Sequence, residues 1–231
     1  MLLTPDDALP AVARAPAPWT LQGDGWLLLL RLPEAVRNDV RHLPPELRGR
    51  PVSGPSIVMF VDYADSPAGP YRELLYIPGR FTLDAGRHAW SVTRIYVSTW
   101  ESVANGRLNW GIPKDHADFR RVPTGLGERL EIDTEGKRIA TLDLAARGPA
   151  LPVHAALLPA GFRTLVQFHA GRRFEFAPRA RGLAGAAKVR SLASDGALFP
   201  DLAQAHVTLA LRARRFTLDF PVAGSRPGSG G

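Results

Sequence analysis

Arg129-Leu130-Glu131-Ile132-Asp133-Thr134-Glu135-Gly136-Lys137-Arg138-Ile139-Ala140-Thr141-Leu142-Asp143-Leu144 is the stretch that decides the architecture. Apolar and polar residues alternate on both sides of Thr134-Glu135-Gly136-Lys137, which is the mark of two antiparallel strands joined by a tight turn. Thr164 to His169 and Arg173 to Phe176 repeat the device around Ala170-Gly171-Arg172. Trp26–Leu32, Ile57–Tyr63, Tyr71–Ile77, Thr93–Val97, Ala186–Leu192, His206–Leu211 and Phe216–Phe220 read as further strands from their length, alternation and β-branched or aromatic content. Helical signals are few. Glu34 to Arg41 stands between Pro33 and Pro44-Pro45. A second helix is expected to open at Ser98, because Ser98-Thr99-Trp100-Glu101 has capping-box spacing, and to end among Gly106, Gly111 and Pro113. About ten strands against two or three short helices predict an α+β, mainly β fold: an antiparallel sheet closed as a barrel, with the helices at its flank.

The 231 residues suffice for one domain with a substantial core. Residues 1–18 carry Pro5, Pro10, Pro16 and Pro18 and read as an extended lead-in; residues 19–222 form the domain; residues 223–231 are a flexible Gly/Ser tail. With no cysteine there is no disulfide framework, thiolate metal site or cysteine nucleophile. The longest apolar run, Trp26 to Leu30, is far short of the roughly 20 residues a membrane span needs. Met1-Leu2-Leu3-Thr4-Pro5-Asp6-Asp7 lacks the basic and apolar regions of a signal peptide, so a cytoplasmic location without membrane contact is expected. A net charge of +7 raises the question of an acidic partner. The basic residues are scattered singles and pairs without a nucleic-acid-binding motif, so no specific nucleic-acid partner is expected.

Chemistry narrows by elimination. His42, His88, His116, His154, His169 and His206 are dispersed, without HExxH spacing, and no metal is expected. Phosphate-cradling loops and a GxSxG elbow are absent, and Gly125-Leu126-Gly127 is a plain turn. What remains is Asn105-Gly106-Arg107-Leu108-Asn109-Trp110-Gly111-Ile112-Pro113-Lys114. Among 29 basic residues only Lys114, Lys137 and Lys188 are lysines, and Lys114 follows an apolar corner. Arginine stays protonated and cannot form an imine; lysine can once it sheds its proton, which burial among apolar groups favours. The plain alternative is that Lys114 tops a turn. On Tyr71–Ile77, alternation places Tyr71, Glu73, Leu75 and Ile77 on one face, so Glu73 is either a carboxylate set against an apolar wall or an edge residue facing water.

Gly106-Arg107 with Gly111-Ile112-Pro113-Lys114 resembles the glycine–arginine and glycine–aromatic–proline–lysine signature of the acetoacetate decarboxylase family. Gly69-Pro70-Tyr71-Arg72-Glu73-Leu74 is similar to that family's glutamate segment, and the strand pattern is similar from Trp19 to Pro221. The resemblance implies a cone-like barrel, a homo-oligomer, no cofactor, and a small-molecule carbonyl substrate held as a Schiff base on Lys114, with Glu73 handling protons. Tyr71 and Trp110 are the expected substrate-binding residues. The match is incomplete. Where the family has a second lysine after the nucleophile, this chain has Asp115, whose charge favours the ammonium form unless the strand points the two side chains apart. Where the family offers an arginine to a substrate carboxylate, the chain reads Trp19-Thr20-Leu21-Gln22-Gly23-Asp24, and an additional family glutamate is replaced by an apolar residue around Val58. Three readings follow: a Schiff-base lyase acting on a β-keto acid or related carbonyl compound, a non-catalytic barrel that binds a small ligand, and a basic interaction module.

Overall fold

Antiparallel pairing of sequence neighbours builds most of the main sheet. In the computed structural model, which describes residues 3–125, 127–155 and 159–228, β1 (Trp19–Arg31), β3 (Ser56–Asp65), β4 (Tyr71–Ile77), β7 (Arg94–Val97), β8 (Lys114–His116), β9 (Asp118–Thr124), β10 (Gly127–Thr134), β11 (Lys137–His154), β14 (Arg179–Ser194) and β15 (His206–Phe220) form one ten-stranded sheet. Its order is β8-β7-β4-β3-β1-β15-β14-β11-β10-β9. The two edge strands, β8 and β9, are separated only by Ala117. Its N–H donates to the Val97 carbonyl, and Thr134 Oγ1 donates to the His116 carbonyl at 3.2 Å. The sheet thus curls until its edges meet, giving the expected mainly β, barrel-like fold.

A second sheet, not anticipated from the sequence, joins β2 (Val52–Ser53), β5 (Arg80–Thr82), β6 (His88–Trp90), β12 (Leu165–His169), β13 (Arg172–Phe176) and β16 (Gly224–Pro227). Four of its strands are two to four residues long, too short to leave an alternation signal. Strand β16 belongs to the segment read as a tail: residues 224–227 pair with Arg172–Glu175, while 229–231 lie outside the described residues. So do Met1 and Leu2 of the leader reading and the centre of the Gly125–Gly127 turn. The two strands expected within 206–220 are one, bent by a register shift opposite Leu183.

The helices are short, as expected, but their limits differ. α1 covers only Glu34–Arg37, one turn. α2 spans Trp100–Trp110 and is capped by Thr99, whose hydroxyl accepts from Ser102 N. Ser98 is diverted, its Oγ accepting instead from Arg72 N at 2.8 Å. α2 ends where Gly111 turns left-handed at φ 64°, and Gly106 lies within the helix rather than at its end.

β3 and β4 divide the interior. Val58, Phe60, Leu74 and Tyr76 face one core with Leu28, Leu130 and Leu142. Val61, Tyr63, Tyr71, Leu75 and Ile77 face a second core shared with α2 and part of the second sheet. A Cβ on Gly111 would sit 2.4 Å from the Phe174 ring, in a conformation L-residues already avoid. Gly111→Ala is expected to lower stability by about 1–3 kcal/mol in urea unfolding, while Gly161→Ala, which meets open space, stays within about 0.5 kcal/mol.

Candidate active site

Strand alternation aims two opposite charges at one point. On β4, Tyr71, Glu73, Leu75 and Ile77 all line a single cavity of the second core. On β8, Lys114 enters the same cavity, and Lys114 Nζ lies 3.0 Å from Glu73 Oε2. Lys114 is 4% exposed and Glu73 5%, so water does not screen the pair. Nζ also donates to Ser102 Oγ at 2.9 Å and Tyr71 Oη at 3.3 Å, and stands 4.8 Å from the Tyr71 ring centroid. Three acceptors match the three protons of an ammonium group. The structure therefore holds Lys114 and Glu73 together and away from solvent.

The helix behind the lysine makes room for it. Ser102 and Gly106 are four residues apart on α2 and so lie on one face. A Cβ on Gly106 would fall 2.7 Å from Lys114 Cδ and 2.8 Å from Cε, so only glycine lets the aliphatic stem run along the helix. Ser102 and Tyr63, whose hydroxyl donates to Glu73 Oε1 at 3.5 Å, escaped the sequence reading. The spacing of Ser102 from Gly106, two small residues on the face toward the lysine, is the signal that could have found the first.

Asp115 is on the other side of β8. Its carboxylate takes the N–H groups of Leu3 (3.1 Å) and Thr4 (3.3 Å) and the Arg107 guanidinium at 2.9 Å. Arg107, 2% exposed, uses all five of its N–H donors: two on the Lys114 carbonyl, one on Asp115, and one each on the Thr4 carbonyl and Asp6. Burial pushes the Asp115 carboxyl above its ordinary value, opposed by the Leu3 N–H and the Arg107 charge. The acidic neighbour of Lys114 is thus partnered by Arg107 and the lead-in segment, which wraps the outside of the site.

The cavity, about 140 Å³, is walled by apolar groups such as Leu21, Val92, Ile112 and Leu218 and by the rings of Trp19 and Trp110. Both indole N–H groups are already engaged, Trp19 with the Ala15 carbonyl and Trp110 with that of Pro221, so Trp110 offers a contact wall and no donor. Burial, and then the Glu73 charge, push the Tyr63 and Tyr71 phenols well above their ordinary 10, which keeps both as hydroxyls. Val58 faces the opposite core; the β3 residues on the side of Glu73 are Met59, Val61 and Tyr63, with Val61 directly across the ladder from Glu73.

The site can be placed among known proteins. The family model described as acetoacetate decarboxylase matches residues 34–177. No curated protein matches the chain. Among solved structures, the acetoacetate decarboxylase of Legionella pneumophila subsp. pneumophila strain Philadelphia 1 is 12% identical, with a TM-score of 0.65 over 95% of this chain and 92% of that one. An acetoacetate decarboxylase-like enzyme from Sphingomonas wittichii RW1 is 18% identical, with a TM-score of 0.60 over 92% and 94%. The enduracididine biosynthesis enzyme MppR, complexed with pyruvate, is 16% identical, with a TM-score of 0.59 over 96% and 93%. At such identities the likeness to these structures is one of fold. The family match covers more than half of the sequence and includes both Glu73 and Lys114: the chain belongs to the acetoacetate decarboxylase family.

Proposed function

We propose that this protein is a Schiff-base-forming lyase that acts on a small carbonyl compound through Lys114, with Glu73 as its proton carrier. One observation carries the reading: the only charged groups among the described lining residues are an amine and a carboxylate 3.0 Å apart in an otherwise apolar cavity. Burying such a pair costs several kcal/mol of desolvation per ion before their attraction offsets it. A barrel that only stored an apolar ligand would need neither charge.

Transfer of one proton from Lys114 to Glu73 leaves a neutral amine and a carboxylic acid. The amine adds to the substrate carbonyl, and its surplus proton passes to the oxygen. Glu73 then returns its proton, the oxygen leaves as water, and a cationic C=N bond joins substrate to Nζ. That iminium accepts the electron pair of a bond next to the former carbonyl, so carbon dioxide, a proton or a carbon fragment can depart. The tyrosine hydroxyls, held protonated, serve as hydrogen-bond donors to the developing oxygen. MppR supports a carbonyl compound as the ligand, whatever its charge, since its ligands include pyruvate and a condensation product of pyruvate with imidazole 4-carboxaldehyde. A homo-oligomeric, cofactor-free enzyme is proposed on the same family grounds.

Borohydride reduction in the presence of a ketone tests the reading. The adduct is expected on Lys114 and to be lost in Lys114→Arg, with the exposed Lys137 and Lys188 as internal controls on the same peptide map. Adduct on the two surface lysines alone would sink the assignment. Gly106→Ala is expected to keep the fold, because alanine favours the helix, yet to slow trapping about 100-fold by displacing the amine from Glu73. Circular dichroism and the trapping rate separate the two effects.

A further inference from the structure

The charges in the cavity bear on which carbonyl compounds can reach Lys114. Among the described residues that line it, Lys114 and Glu73 are the only ionic ones, and they neutralise each other. Among the described residues no second cation lies within the wall. Arg107 lies behind β8 with every N–H committed, and Arg72 leaves the opposite face of β4 toward Asp62 and the Phe119 carbonyl. The indole donors are taken, and apolar groups such as Leu21, Ile112 and Leu218 make up most of the lining.

Resting on the Schiff-base reading, we infer that the substrate is a neutral, apolar ketone or aldehyde of about six carbons, and that an anionic keto acid is excluded by charge. The size follows from the volume: a dry cavity of about 150 Å³ holds a benzene-sized molecule, and this one is about 140 Å³. The exclusion follows from counting. With a neutral carbonyl the site carries no net charge at any stage, first as ammonium with carboxylate, then as amine with carboxylic acid, then as iminium with carboxylate. With a keto acid and Glu73 ionised, one negative charge is uncompensated, in a cavity whose single described cation, Lys114, is already paired with Glu73.

The simplest reaction open to this substrate class is proton abstraction, because a neutral ketone has no carboxylate to lose. Glu73 takes a proton from the carbon next to the iminium; the C–H electron pair becomes the enamine C=C bond, and the C=N pair returns to Nζ. Reprotonation from an exchanged carboxylic acid, then attack of water on the iminium, returns the ketone and the free lysine. Electrons and atoms balance without any oxidant or reductant, and the minimal outcome is exchange of the α-hydrogens with solvent.

The test compares levulinate with its methyl ester, which share one remote ketone and differ in charge, and follows cyclohexanone in deuterium oxide by proton NMR. Trapping rates on Lys114 are read after borohydride and normalised to N-acetyl-lysine derivatives bearing a free side-chain amine. The ester is expected to label at least about 100-fold faster than the acid, as an uncompensated buried charge demands. Wild-type protein is expected to exchange the α-hydrogens of cyclohexanone, and Lys114→Arg not to. In Glu73→Gln the acid itself would balance the iminium, so the preference for the ester should collapse toward parity even as labelling slows overall. Equal labelling of acid and ester by the wild type, or a preference untouched by Glu73→Gln, overturns the inference and leaves the Schiff base standing. If neither levulinate, its ester nor cyclohexanone labels Lys114, the Schiff-base reading itself fails.

Discussion

A lysine ammonium and a glutamate carboxylate facing each other at 3.0 Å, with almost no solvent near either, constrain everything around them. Neither charge is stable alone at that depth, so each holds the other's strand in place. Glu73 is on the fourth strand and Lys114 on the eighth, at the edge of the sheet, with β7 between them, so the pair reaches across a strand. Register decides whether they meet. Glu73 is opposite Val97, and Ile95 is opposite Lys114; a slip of one residue on either ladder would send one charge into the wrong core.

The same alternation that brings Lys114 inward turns Asp115 outward, and that resolves the tension between a nucleophilic amine and an adjacent anion. Low-dielectric surroundings strengthen charge–charge effects, so an uncompensated Asp115 would hold a proton on the lysine. The guanidinium of Arg107 and the backbone of Leu3 and Thr4 absorb that charge on the far side of β8. By grasping the Lys114 carbonyl as well, Arg107 fixes the backbone from which the amine is suspended. The extended lead-in is therefore structural: it closes the back of the site and supplies two of the groups that satisfy Asp115.

How much of this could be read beforehand follows from the range of each interaction. Period-two patterning is local, so β4, β10, β11, β12 and β13 were legible, and with them the inward face of Glu73. The lysine was legible because an arginine-biased composition made it stand out. Ser98 was misread as a helix cap because a serine hydroxyl serves a strand N–H as readily as a helix terminus, and only tertiary contact chose Arg72 N over the helix. Tyr63 and the five-donor arrangement of Arg107 depend on segments brought together across the fold, up to about a hundred residues apart for Arg107 and Thr4, with no trace in local spacing, and Ser102 left only its four-residue spacing from Gly106. The second sheet was missed for the opposite reason, since strands of two to four residues carry too little pattern to be seen.

The departures from the family pattern and the charge count of the cavity converge on one explanation. The Trp19–Asp24 segment brings no arginine to the wall, and on β3 the residues that share the face of Glu73 are Met59, Val61 and Tyr63, none of them acidic. The described lining holds one amine and one carboxylate, the smallest charge set that could, on the proposed reading, carry a proton to and from an imine without exposing an unpaired ion. The wall around that pair is mostly hydrocarbon and aromatic ring, so the proposed substrate would be selected by shape and neutrality rather than by ionic recognition. On the proposed reading, the differences from the family pattern bear on what is admitted to the lysine, and Lys114 with Glu73 carries the chemistry.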